Sequence, residues 1–190
     1  MTNPGYGPPM GAMGLSVIDG VQQRRLEAHR DERGELVELF RSGWIDDFHP
    51  VQWNYIRNEP LVLRGFHCHV RHTDLVTVLT GTMIVGIKDL RRTSSSCGRS
   101  EIITVAPADE VVGIPPGVGH GFYFPEPAIM VFAVSHEWNH DDELGCRWDD
   151  DDLGLDWGCP TPTLSERDRR AGTLASLQRE VDERMTPGTR

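Results

Sequence analysis

From residue 35 to residue 138 the sequence is a succession of short runs rich in β-branched and aromatic residues, each closed by turn-forming residues. The runs are ELVELF (35–40), VQWNYI (51–56), LVLRGFHCHV (61–70), DLVTVLTGTMIVGIKDL (74–90), SEIITVA (100–106), EVVGIP (110–115) and AIMVFAVSHEW (128–138). DERG, NEP, TG, SSSCG, PPGVG and PEP punctuate them, and no helical stretch intervenes. A chain written this way has to bury its apolar faces sheet against sheet, which predicts a single antiparallel sandwich or barrel. TSSSCGRS (93–100) reads as an exposed connection between two strands.

A length of 190 residues suits one such domain. The net charge of -10 argues against nucleic acid or an anionic membrane as the partner. A small anionic substrate remains compatible, because a few arginines outweigh the global charge at short range. No apolar stretch approaches the roughly 20 residues that span a bilayer. MTNPGYGPPMGAMG has neither the basic nor the apolar region of a secretory signal, and residues 1–14 read as a disordered leader. The four cysteines form no C-x-x-C pair, so reduced thiols and a cytoplasmic location are expected.

Residues 15–163 are expected to form the β domain, and 164–190 a C-terminal helix and tail. LSERDRRAGTLASLQREVDERM is charged and helix-permissive, with Ser165 as N-cap and Asp168 three positions on. DDDD (149–152) lacks the glycine and final glutamate of a calcium loop and reads as a solvated turn.

The chemistry concentrates in RGFHCHVRHTDLVTVLTG (64–81). In a strand, His67 and His69 project together and Cys68 points the other way. H-C-H, followed by Asp74 and then Gly81, resembles the first metal motif of the cupins, and PPGVGH, ending in His120, resembles their second. Leu61 stands where that motif has a glycine, and Asp74 where it has a glutamate. His67, His69, Asp74 and His120 would suit one divalent transition metal, while a wet barrel interior would also accept them as ordinary polar residues.

A second resemblance spans residues 17 to about 178. DERGELVE, VQWN, VLRGFH, GTMIVGIKDLRRTS, IPPGVGHGF, GCRWDDDDLGLDW and LSERDR occur in the order seen in the dTDP-4-dehydrorhamnose 3,5-epimerase family. The resemblance implies an all-β, cupin-type double-stranded β-helix (jelly roll) with a short helical tail, a homodimer and no metal or other cofactor. It implies an epimerase acting on a nucleotide-linked, dTDP-type 4-keto-6-deoxyhexose. His67 matches the family's catalytic base and Asp168 the carboxylate that orients it. Arg33, Glu38, Gln52, Asn54, Arg64 and His120 match positions lining the sugar-nucleotide site.

Four replaced positions qualify that reading. The family's general-acid tyrosine falls at Phe132, and a second tyrosine at Trp138, which can stack on a ring but donates poorly. The family's lysine is replaced by Asp74, and a glutamine two after the base by His69. Without the tyrosine, single epimerisation is expected over double, with water, His69 or His136 returning the proton. The alternatives are a metal-dependent cupin enzyme, or a sugar-nucleotide-binding protein that has lost turnover. A metal held by the four-residue set would occupy His67 and bar it from acting as the base.

Overall fold

The short β-rich runs fold into two facing sheets, in a computed structural model that describes residues 13–186, the first three by backbone alone. The strands are β1 (Met13–Leu15), β2 (Gln22–Arg25), β3 (Ala28–Asp31), β4 (Gly34–Val37), β5 (Gln52–Asn58), β6 (Val62–Cys68) and β7 (Asp74–Thr80). They continue as β8 (Met83–Asp89), β9 (Ser100–Val105), β10 (Glu110–Ile114), β11 (Val118–Phe124), β12 (Ala128–Val134) and β13 (Leu144–Gly145). One sheet runs β1-β2-β10-β7-β12-β5 and the other β13-β6-β11-β8-β9, with β3-β4 as a separate hairpin. Among the described residues every pairing between these strands is antiparallel, and the architecture is the expected jelly roll.

The interface between the sheets is the main core. Val76 and Val78 of β7, Val112 and Ile114 of β10 and Met130 of β12 meet Val85 and Ile87 of β8, Ile103 of β9 and Phe124 of β11. Thr-Gly at 80–81 carries the chain from one sheet to the other, so the run 74–90 is two strands at a corner. A second core lies on the outer face of the five-stranded sheet. There Leu63, Phe66, Cys68 and Tyr123 pack against Leu153, Trp157, Leu174, Leu177 and Val181. That sheet is covered on both faces.

This explains why β11 is not among the sequence-derived strands. All seven of its residues are buried, so no polar alternation marks it. Its glycines also look like turn signals, yet Gly119 serves close packing: a Cβ there would lie 2.3 Å from Phe66 Cε1.

The tail is two helices rather than one, α1 (Glu166–Arg169) and α2 (Leu174–Met185). Ser165 caps α1 as expected, its Oγ accepting from Asp168 N at 3.1 Å, and Thr173 caps α2. Between them the carbonyl of Gly172 accepts from Arg147 N at 2.8 Å. Thr163 bridges to Val62, and the chain therefore runs alongside β6 before α2 covers the second core. Strand β1 takes up Met13 and Gly14, the last two residues read as leader; residues 1–12 lie outside the described part. DDDD is a capped 3-10 turn, in which Asp150 accepts from Asp152 N and from Leu174 N. Among the described residues no helix is long and apolar enough to cross a membrane.

The 93–100 connection differs from its exposed reading. Ser94 and Ser96 turn inward and donate to Asp89 Oδ2, each at 2.5 Å, and Ser96 is buried. Arg91 pairs with both carboxylate oxygens at 2.8 Å. Burial alone would raise the Asp89 pKa; the bonds from Arg91, Ser94 and Ser96 outweigh it and hold the carboxyl down to about 2. Asp89→Ala strands a largely buried guanidinium and is expected to cost about 3 to 5 kcal/mol, read from urea unfolding at pH 7. The folded value lies below the ordinary 3.8, so the ionised form is the one that folding favours. This stabilisation is complete above 3.8 and is lost as the pH falls through about 2. An unchanged midpoint at pH 7 contradicts the assignment.

Candidate active site

A cleft of about 540 Å³ opens between the two sheets and the α1 segment. Its apolar walls include Ile56, Val62, Val76, Phe122, Met130 and Phe132. The groups able to do chemistry are Arg64, His67, His69, His72, Asp74, His120, Glu143, Arg167 and Asp168.

His67 comes from β6 and Asp168 from α1, 101 residues apart in sequence. The His67 Nε2–H donates to Asp168 Oδ1 at 2.7 Å. Asp168 is itself largely buried and is held by its position in the first turn of α1, just after the Ser165 cap. Burial pushes the Asp168 carboxyl up, but the bond from His67, the Ser165 cap and the Gly65 amide hold it below the ordinary carboxylate value. An ionised Asp168 fixes the His67 ring and leaves Nδ1 as the basic nitrogen.

Arg64 lies in the same cleft, although it is three residues from His67. Its Nε donates to Asn58 Oδ1 at 2.7 Å. Burial lowers the Arg64 pKa, and the Asp168 charge works against that shift.

His69 and His120 line the cleft, and both are buried. They belong with Asp74 to one group of potential ligand atoms lying within 4.8 Å of one another. His67 is outside it. The four-residue metal set is thereby corrected: His67 is taken by Asp168, and His72 stands beside Asp74 instead, at 3.6 Å. The conflict between the two roles of His67 disappears, because the ring that serves Asp168 is not among the clustered ligands.

Phe132 forms part of the cleft wall, and Trp138 stands at its rim with more than half of its surface exposed. The Trp138 indole donates to Glu143 Oε1 at 2.9 Å, and its backbone N–H to Gln52 Oε1 at 3.0 Å. Gln52 and Asn54 sit behind that rim, bonded to each other at 3.1 Å, and do not line the cleft. Arg33 and Glu38 are also away from the cleft of their own chain. Arg33 pairs with Asp31 at the β3–β4 turn, and Glu38 with Arg41. His136 is exposed, bonded to Ser135 and off the cleft of its own chain.

Two cleft residues were not found from sequence. Glu143 accepts from Arg167 Nη1 at 2.6 Å and lies 3.7 Å from His69 Nδ1. Burial raises its pKa, and the neighbouring His69 and Arg167 bring it below the ordinary value. For Arg167 a signal existed, since it precedes Asp168 in LSERDR. Glu143 sits in HDDEL, a stretch with the look of a surface turn.

The profile of the dTDP-4-dehydrorhamnose 3,5-epimerase family matches residues 16–176. The spore coat polysaccharide biosynthesis protein SpsL of Bacillus subtilis is 30% identical over 148 residues, covering 74% of this chain and 97% of that protein. Among solved structures, a dTDP-6-deoxy-D-glucose-3,5-epimerase from Legionella pneumophila in complex with dTDP-4-keto-L-rhamnose superposes with a TM-score of 0.83. It is 25% identical and covers 90% of this chain and 96% of that one. A 3'-monoepimerase from Streptomyces bikiniensis in complex with dTDP-quinovose gives a TM-score of 0.80 at 27% identity, covering 87% and 89%. With the profile matched over nearly the whole described chain, this protein belongs to the dTDP-4-dehydrorhamnose 3,5-epimerase family.

Proposed function

We propose that this protein epimerises a dTDP-linked 4-keto-6-deoxyhexose at a carbon next to the ketone. The observation that carries the reading is the 2.7 Å bond between His67 and Asp168 at the cleft. The ketone acidifies the neighbouring C–H; His67 Nδ1 takes that proton, and Asp168 stabilises the imidazolium that forms. A proton returned to the opposite face inverts the centre. Phe132 has no hydroxyl to donate, so water returns the proton and one centre is inverted, not two. The base and its partner are supplied by the chain itself, and proton abstraction needs no organic cofactor. The test is incubation of the protein with a dTDP-4-keto-6-deoxyglucose in deuterated water. Deuterium should enter C3 or C5, and absence of label at both carbons overturns the reading.

Of the two arginines lining the cleft, Arg167 pairs with Glu143, and Arg64 is the one we assign to the diphosphate, since a guanidinium binds such oxygens in bidentate fashion. Arg64→Ala is expected to weaken dTDP binding by about 1.5 to 3 kcal/mol, roughly 10- to 150-fold, by calorimetry. An unchanged dissociation constant would mean that the diphosphate lies elsewhere.

We further assign a homodimer in the cytoplasm. Edge strand β5 leaves Trp53 and Tyr55 exposed in a row with Val51, the kind of apolar edge that a second copy covers. Such a contact would also give Arg33, Glu38, Gln52 and Asn54 a role at a cleft that they do not line within one chain.

A further inference from the structure

The cluster around Asp74 is not used by the His67–Asp168 pair. Asp74 Oδ2 is surrounded by three imidazole nitrogens: His72 Nε2 at 3.6 Å, His120 Nε2 at 3.8 Å and His69 Nε2 at 4.0 Å. All four residues are buried. These separations are too long for hydrogen bonds. They are close to the spacing of ligand atoms around one ion, since two ligands 2.0–2.2 Å from a tetrahedral metal lie about 3.4 Å apart.

The outward nitrogens strengthen the case. His69 Nδ1–H donates to the carbonyl of Asp142 at 3.0 Å, and His120 Nδ1–H to the carbonyl of Val118 at 3.2 Å. A neutral imidazole that donates through Nδ1 carries its lone pair on Nε2. Both lone pairs therefore face Asp74, where a carboxylate oxygen would repel them and a cation would attract all three. Outer carbonyls that fix the tautomer and aim Nε2 inward are the usual support of metal-bound histidines. His72 stacks on His69 with ring centroids 4.1 Å apart, and its Nδ1 lies 3.4 Å from Asp142 Oδ2. Asp142 in turn accepts from the amides of Val70 and Arg71, which ties the loop after β6 in place.

We propose that His69, Asp74 and His120 form a mononuclear site for a divalent transition metal, whose open positions face the cleft and take the substrate's ketone oxygen. Two histidines and one carboxylate leave room for such a ligand. A divalent ion against one carboxylate and two neutral rings leaves a net positive charge. That charge stands where the family's lysine is replaced by Asp74. It polarises the ketone while the C–H proton moves to His67, which remains free to act as base. The electron pair of the broken C–H bond is drawn toward the ketone oxygen, and protonation by water restores the ketone.

Metal binding stands independently of the epimerase reading; only the identity of its oxygen ligand rests on it. The full chain, stripped with chelator, should bind one equivalent of Co2+ with a visible absorption band that Zn2+ displaces. His67→Asn should bind equally well. Asp74→Asn and His120→Gln should each bind more weakly by over about 100-fold, beyond what loss of an outer partner costs. The wild-type titration needs no variant, so misfolding of either mutant cannot mask the result. No saturable Co2+ binding, or binding that survives both ligand variants, overturns the site. Deuterium wash-in into a dTDP-4-keto sugar should fall on stripping and return with metal. Stoichiometric binding with unchanged wash-in overturns the ketone as its ligand. Stoichiometric binding with no wash-in in either form upholds the metal site and removes the epimerase reading.

Discussion

His67→Asn is expected to lower deuterium wash-in at C3 or C5 of a dTDP-4-keto-6-deoxyhexose by about 10²- to 10⁴-fold, the usual contribution of a positioned general base. Asparagine keeps a donor toward Asp168 but has no nitrogen that titrates near neutrality. Asp168→Asn should cause a loss of similar order, because the amide no longer favours the tautomer with its lone pair on Nδ1. The double variant should be little worse than either single one, since the two side chains act as a unit. Binding of dTDP by calorimetry should change far less than the rate. Wash-in at the wild-type rate in His67→Asn would place the base elsewhere in the cleft.

Gly65→Ala is expected to be strongly destabilising. Gly65 has φ +130, and a Cβ there would lie 2.7 Å from Gly121 Cα and 3.1 Å from the His120 carbonyl oxygen. Both obstacles are backbone of β11 and cannot swing aside. Strain at that φ and overpacking together cost roughly 3 to 5 kcal/mol. For a chain of this size that corresponds to a melting temperature lower by roughly 6 to 20 °C. Any folded fraction should also lose wash-in, because the same glycine sets the positions of Arg64 and His67. A melting temperature within about 2 °C of wild type would show that β6 and β11 can separate at this point.

Gly65 also shows where sequence reading ends. Along β11, His120 pairs with His67 and Phe122 with Arg64, so Gly65 and Phe66 together oppose Gly121. This is a bulge, and it shifts the phase of β6 by one residue. Strict alternation puts Arg64 on the face of Cys68, away from His67; the bulge returns both to the cleft. The rule holds after the bulge, where His67 and His69 share the cleft and Cys68 is buried in the second core.

The sheet-on-sheet class was legible in the sequence, because alternating apolar runs of strand length have no other way to bury their faces. So was the Ser165 cap, since capping depends on residues three apart. The order of the motifs points to the family, and that resemblance names His67 and Asp168 as base and partner. Which histidines lie together became visible in the folded chain alone. The 2.7 Å bond between residues 67 and 168 needs the tail pinned along β6 by Thr163 and Gly172. The convergence of His69, His72 and His120 on Asp74 needs three segments from two facing sheets to meet. Local spacing fixes which side of a strand a residue takes. The partner it meets there depends on long-range register and on a single bulge, neither of which is written in the period of the sequence.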